Sequence, residues 1–390
     1  MGPVRDRNLH WNGPLAPRRH SPCLADRQVE ATIIMRPETL EFLQRLANSP
    51  SPSGFEQPAA EVYRAYTERF ADRVTTDVTG NVVAVLNPDA KIRIMLAGHI
   101  DEIGFLVHHI GEDGLLHFSG IGGHDDVTAV GQRVWVHGKE RIAGVVGSRA
   151  FHLLSPEEKT KRPEIKSLWI DIGATSRAEA EGLVRLGDPI TFTETFTPLL
   201  GDRAAARGLD NTAGALIVAE ALRLLKEDGG LHTGVGVHAV ATVQEEIGSR
   251  GSTTATYAVN PKTGLVVDMD HATDLPPLDE TQHGSLHLGK GPTVGRGANV
   301  NPVVSDLVTA AARDEGIPYQ VSVFAAATPT DANVMQVSRS GVATGLVGVP
   351  LRYMHTPSET LSLTDVENCA RLVAAYCRRI TPDTDFTPRL

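Results

Sequence analysis

Apolar residues recur at helical spacing between Pro37 and Asn48, where Leu40, Leu43, Leu46 and Ala47 share one face. A Ser-Pro-Ser-Gly turn at 51–54 leads into a second predicted helix over about 56–71, with Ala60, Val62, Tyr63, Tyr66 and Phe70 facing inward. The pattern then shortens to β-branched runs at 82–86 and 92–97, which predict strands. Between about 105 and 197 the texture is that of a β-rich unit. Short alternating strands at 115–118, 134–136, 142–146, 168–172 and 189–193 are separated by glycine turns, with one weak helix near 176–185.

After Pro198 strand and helix alternate again. The helix expected over 212–227 carries Ile217, Ala221, Leu224 and Leu225 on one stripe and Glu220, Arg223 and Glu227 on the opposite face, with Asp210 in N-cap position. Apolar runs at 235–243, 264–269 and 342–349 predict buried strands. Asn301-Pro302 opens a helix to about 315, and Thr364-x-x-Glu367 reads as the capping box of the last helix. Strands interleaved with helices on both sides of the β-rich stretch predict an α/β fold. Its catalytic domain spans 35–104 and 198–390, and a small β-rich domain, 105–197, is inserted into it.

Composition narrows the class. Of the 390 residues, 41% are hydrophobic and 22% charged, as in soluble globular proteins. The net charge of −10 argues against a nucleic-acid partner, and no apolar run approaches the roughly 20 residues of a membrane span. Cys23, Cys369 and Cys377 fit a reducing, cytoplasmic compartment and supply too few thiolates for a structural zinc site. Residues 1–34 are rich in Pro and Arg, without periodicity or a signal-peptide core. They are expected to be a disordered extension or a gene-start artefact, with Met35 as the biological start.

The candidate chemistry centres on Glu245-Glu246, which directly follows the apolar run at 235–243. Neighbouring carboxylates repel unless a positive charge sits beside them; taken alone, the pair reads as a solvated turn. His99, Asp210, Asp268 and His355 complete a set, each just past a strand's carboxyl end or at a helix start, with Asp101 beside His99. In open α/β sheets the carboxyl ends of the strands are where ligands bind. Two imidazoles and three carboxylates suit zinc, cobalt or manganese rather than calcium. One carboxylate reaching two ions holds them about 3.5–4 Å apart, and Asp210, at a rigid helix start, is the candidate bridge. His99 and Asp101 lie two apart on an extended segment, so Asp101 can accept the free imidazole N–H. Asp270 and Asp274 are rivals of Asp268, His271 is a rival imidazole, and His124-Asp125-Asp126 is a competing cluster expected on the surface of the β-rich unit.

The ordered set His-x-Asp, Asp-Asn, Glu-Glu, Asp, His resembles the di-zinc exopeptidases built on a mixed, phosphorylase/hydrolase-like α/β sheet. Within them, Ala97-Gly98-His99-Ile100-Asp101-Glu102-Ile103-Gly104-Phe105 is similar to the tetrahedral (TET-type), self-assembling metallo-aminopeptidases. These are the glutamyl and deblocking aminopeptidases, some of which have been labelled endoglucanases. Gln244-Glu245-Glu246-Ile247-Gly248, Val267-Asp268 with His271-Ala272-Thr273-Asp274, Gly289-Lys290-Gly291-Pro292 and Arg352-Tyr353-Met354-His355-Thr356-Pro357 match as well, over about 36–380. The resemblance implies one divalent ion, zinc first with cobalt or manganese as alternatives, on His99, Asp210 and Asp268. It implies a second on Asp210, Glu246 and His355, with Glu245 as general base and Asp101 as its orienting partner. N-terminal residues would then be hydrolysed from short peptides by a metal-bridging hydroxide. Dimers would assemble into a hollow twelve-subunit particle, with the inserted β-rich domain contributing contacts. Thr212, where the family commonly has Arg, and Pro329, where Gly is usual, leave the preferred substrate open.

Three other readings use the same residues. A metal-dependent deacylase on the same scaffold keeps all five ligands. A metal-free, endoglucanase-type glycoside hydrolase leaves both histidines without a role. A non-catalytic metal-binding particle has no need of Glu245.

Overall fold

The computed structural model describes residues 35–388; the readings made for 1–34 lie outside the described residues. Eight strands form one mixed sheet in the spatial order Arg73–Thr76, Val82–Leu86, Val235–Thr242, Ile92–His99, Thr263–His271, Ala343–Leu351, Thr293–Gly297 and Gln320–Phe324. The central four run parallel. Covered on both faces, such strands need apolar residues at nearly every position, and Val235–Thr242 is buried throughout. Side chains alternate across the sheet. Ile94 and Leu96 pack with helices Leu209–Asp228, Leu363–Arg379 and Pro37–Asn48 on one face, while Met95 and Ala97 pack on the other with Ala255 and Met335 from helices Arg250–Val259 and Asp331–Gln336. The parallel register sets Thr242 opposite His99 and Asp268 opposite Gly348, so the carboxyl ends line up along one edge.

Directly beyond His99 the chain enters a closed barrel of six strands, from Gly104–Ile110 to Pro189–Phe192, around Phe105, Phe118, Val134, Ile170 and Ile190. The α/β fold with an inserted β-rich unit, expected from the pattern, is the one observed. The first barrel strand, Gly104–Ile110, escapes the sequence pattern because a bulge between Val107 and His109 breaks its alternation.

Three local expectations are corrected. Asp210 does not cap its helix: Asp210 and Asn211 have non-helical backbone angles, and Asn211 Oδ1 accepts the Gly214 N–H at 2.9 Å. Asn211 Nδ2 also donates to the Val267 carbonyl at 2.8 Å, tying the helix start to the neighbouring strand. Glu220 and Arg223, on the face opposite the apolar stripe, are buried beneath the two N-terminal helices rather than left as an open polar face. Glu220 accepts from Thr39 (2.9 Å), Tyr66 and Arg223 (3.0 Å), and Arg223 also binds Glu227; buried charges persist when paired in this way. Ser362, not Thr364, caps the last helix, because the strand Glu359–Ser362 runs straight into it and Ser362 Oγ accepts the Asp365 N–H at 3.3 Å.

The helix start meets the His99 strand without slack. A Cβ placed on Gly98 would lie 2.4 Å from the Gly214 carbonyl carbon. Gly98→Ala should therefore cost about 3 kcal/mol of stability by denaturant titration; a variant as stable as its parent would show that the helix can retreat.

Candidate metal centre

The aligned strand ends bring the sequence-selected residues together. His99 Nε2 lies 3.2 Å from Asp210 Oδ1 and 3.7 Å from Asp268 Oδ1. His355 Nε2 lies 3.5 Å from Asp210 Oδ2 and 3.4 Å from Glu246 Oε1. Two groups of three donors result, His99–Asp210–Asp268 and Asp210–Glu246–His355, each with its ligand atoms within 4.8 Å of one another. Asp210 belongs to both and turns one oxygen towards each histidine. Because Asn211 does the capping, the Asp210 carboxylate is free to do so.

Local backbone geometry aims the ligands. Gln244, just before the glutamate pair, and His355 itself have positive φ values of 57° and 59°, conformations that persist where the surroundings impose them. Asp101 holds the glutamate pair from beneath. Its Oδ1 accepts the Glu245 N–H at 3.0 Å, and its Oδ2 accepts the Glu246 N–H at 3.1 Å and the Ser53 hydroxyl at 2.7 Å. His99 Nδ1 meets the backbone carbonyl of Asp101 at 3.0 Å and its carboxylate only at 3.4 Å. The expected imidazole partner is thus Asp101, chiefly through its main chain, which leaves Nε2 to face the other acids.

Glu245 shares a cavity of about 670 Å³ with the five candidate ligands. Burial, together with nearby Asp268, Asp331 and Glu246, pushes its carboxyl up to about 9. Burial alone would lower His99, but Asp101, Asp210 and Asp268 outweigh it and hold the imidazole well above its ordinary value. Asp210 and Glu246 raise His355 to about 11. Burial likewise works against an ionised Asp210, and the two histidines overcome it, drawing its carboxyl below the usual range.

The rivals lie elsewhere. Asp274 is bound by Arg352 at 2.7 Å, Asp270 accepts from Thr293 at 3.0 Å, and His271 is exposed; none joins either group. His124 is half-buried: it stacks on Phe105 with 4.4 Å between ring centroids, and its Nε2 lies 2.7 Å from the Gly104 carbonyl. Asp125 is exposed and paired with Arg162 at 2.8 Å.

Sequence reasoning missed two buried acids. Glu359 takes the Asp210 N–H on Oε2 at 3.0 Å and the His355 N–H on Oε1 at 2.8 Å, so one carboxylate holds the backbones of two candidate ligands. Its sole sequence signal is its position four residues after His355. Asp331 accepts the Thr242 hydroxyl at 2.6 Å, and burial raises its carboxyl to about 7.

A divalent cation fits these residues. Asp210 Oδ1 and Glu246 Oε1 are shut from solvent without a hydrogen bond, a cost of about 1–3 kcal/mol each if nothing binds them. The nitrogen and oxygen donors match zinc, cobalt or manganese. Ligand imidazoles must be neutral, whereas the acids around them favour the protonated form of both histidines. Burial favours the protonated form of Glu245 as well, and a cation beside it acts against that form. Metal uptake by chelator-treated protein should therefore release protons and weaken as pH falls. Calorimetry in buffers of different ionisation enthalpy measures this; uptake without any proton release would remove the histidines from the ligand set.

Residues 80–372 match the family model of the M42 glutamyl aminopeptidases. The chain belongs to that family. The M42 chain is 35% identical to the lysyl aminopeptidase of Pyrococcus furiosus over 354 residues, 89% of this chain and 99% of the relative. It superposes on a TET aminopeptidase from a marine sediment thaumarchaeon with a TM-score of 0.85 at 34% identity, covering 89% of this chain and 97% of that one. The TET1 peptidase of Pyrococcus horikoshii, which can assemble into a tetrahedron or a large octahedral shell, gives 0.77 at 31% identity over 88% of this chain and 100% of that one. The M42 chain is thus a peptidase of aminopeptidase type. Among its described residues no helix is long and apolar enough to cross a membrane.

Proposed function

We propose that this M42 peptidase removes N-terminal residues from short peptides with two divalent ions, one held by His99, Asp210 and Asp268 and the other by Asp210, Glu246 and His355. The observation that carries the reading is the pair of three-donor groups sharing Asp210. When bound, the ions, zinc ahead of cobalt or manganese, supply Lewis acidity that acidifies water and polarises the scissile carbonyl. Glu245, on the wall of the same cavity, takes the water's proton on its carboxylate and returns it to the leaving amine. Asp101 and Glu359 are positioning residues: the first fixes His99 and the glutamate pair, the second fixes the backbones of Asp210 and His355.

The same reading gives the catalytic domain residues 35–104 and 198–390. It gives 105–197, which contain most of the barrel, a share of the contacts in a dimer-based homo-oligomer of up to twelve subunits. The self-assembly of the Pyrococcus horikoshii relative supports it.

A panel of free and N-acylated peptides, assayed with metal counted in the same sample, tests the function. Free peptides should lose residues one at a time from the N-terminus, N-acylated ones should be spared, and chelation should abolish turnover until metal is restored. Release of acyl groups ahead of amino acids would make the enzyme a deacylase instead.

A further inference from the structure

Beside the metal-centre cavity lies a second one, of about 770 Å³, that the proposed chemistry leaves unused. Asp270, His271, Phe324 and Met354 belong to the walls of both, so the two are continuous along that side. One bank of the second cavity is the edge strand Gln320–Phe324, with Val321 45% and Val323 76% exposed. The other bank is the 272–286 loop, through Leu275 and Leu278, and buried Leu286 and Leu351 lie between. A contiguous exposed apolar surface of this kind marks a binding site more often than chance exposure.

The edge strand has main-chain groups to offer. It is the last strand of its sheet and pairs on one side only, with Thr293–Gly297. Gln320 donates to the Pro292 carbonyl at 2.9 Å and Phe324 accepts from Ala298 at 2.9 Å, so the even-numbered residues face the neighbouring strand. Strand geometry then turns the N–H and C=O groups of Val321 and Val323 to the open side, where an extended peptide can pair with them.

We propose that this groove holds the residues following the scissile bond of a peptide substrate, in extended form along Gln320–Phe324, and favours apolar side chains there. The inference rests on the aminopeptidase reading. A chain anchored by its first residue at the metal centre has a continuous route outward past Phe324 and Met354, beside Asp270 and His271, to the apolar banks of the groove.

The test compares two tripeptides that share the best-cleaved first residue but carry Leu or Asp in second place, together with the primary amide of that first residue, which carries nothing beyond the scissile nitrogen. The parent enzyme should favour the Leu peptide by about tenfold in kcat/KM. Val323→Asp and Leu278→Asp should each erase most of that preference, mainly through KM, and leave hydrolysis of the amide unchanged. Peptide hydrolysis without a second-residue preference overturns the groove assignment alone. So does an equal loss on peptide and amide, or a change in sedimentation showing that a second copy of the chain covers the groove. No hydrolysis of any free-amine substrate overturns the aminopeptidase reading, and this proposal with it.

Discussion

Glu245→Gln should bind the same amount of metal as its parent and lose at least about a hundredfold in kcat, the usual yield of a positioned general base. The reasoning is geometric. The Glu245 side chain belongs to neither three-donor group yet lines the same cavity, and its place is fixed by a backbone N–H held on Asp101. An amide keeps the shape and removes the ability to take a proton. Glu245 also has the most to gain from cations beside it: burial pushes its carboxyl up to about 9, and nearby positive charge acts in the opposite direction, towards the ionised form a base needs. Metal analysis by mass spectrometry and a rate on a free peptide, taken on one sample, decide the matter. Full activity in the variant would give the proton transfer to another group, and lost metal would make Glu245 a ligand.

Asp210→Asn should fold, lose most of the bound metal and lose activity by well over the roughly 10–100-fold that removing an outer partner of a metal site costs. Asp210 faces His99 with one oxygen and His355 with the other, and an amide presents only one of its two atoms as an acceptor. The substitution is informative because Asp and Asn are about equally good helix caps. Were Asp210 a cap, the variant would be almost silent; since Asn211 already caps the helix, the loss has to come from the site. Asp101→Asn is the graded comparison, expected to weaken metal binding by about 10–100-fold and leave occupancy recoverable at higher metal concentration. If Asp210→Asn retained two ions per subunit, the shared-carboxylate arrangement would be wrong.

The sequence disclosed side chains by their chemistry and hid those that act on the backbone. His99, Asp268 and His355 stood out because each follows an apolar run that had to be a buried strand, and an imidazole or carboxylate at such an end is conspicuous. Glu359 did not, because in Thr-Pro-Ser-Glu-Thr it looks like any acid in a surface loop. Its work is to accept the N–H of His355, four residues back, and the N–H of Asp210, 149 residues back, and neither bond leaves a periodic trace. Glu220 and Arg223 misled for a related reason: helical spacing separates apolar from charged faces, but it cannot show that two more helices cover the charged one and pair its charges internally. The cap misassignment at Asp210 came from a two-residue departure from helical geometry at the helix start. Neighbouring Asp and Asn are interchangeable as caps, so only coordinates tell which one turns inward.

Glu359 also sets the order in which this site can come into being. Ribosomes deliver the chain from its amino end, so His99, Asp210 and Asp268 emerge first, and the second trio waits for His355. Even then, the backbones of Asp210 and His355 are not clamped to each other until Glu359 follows. A growing chain therefore has the two three-donor groups clamped to each other only after residue 359 has been added.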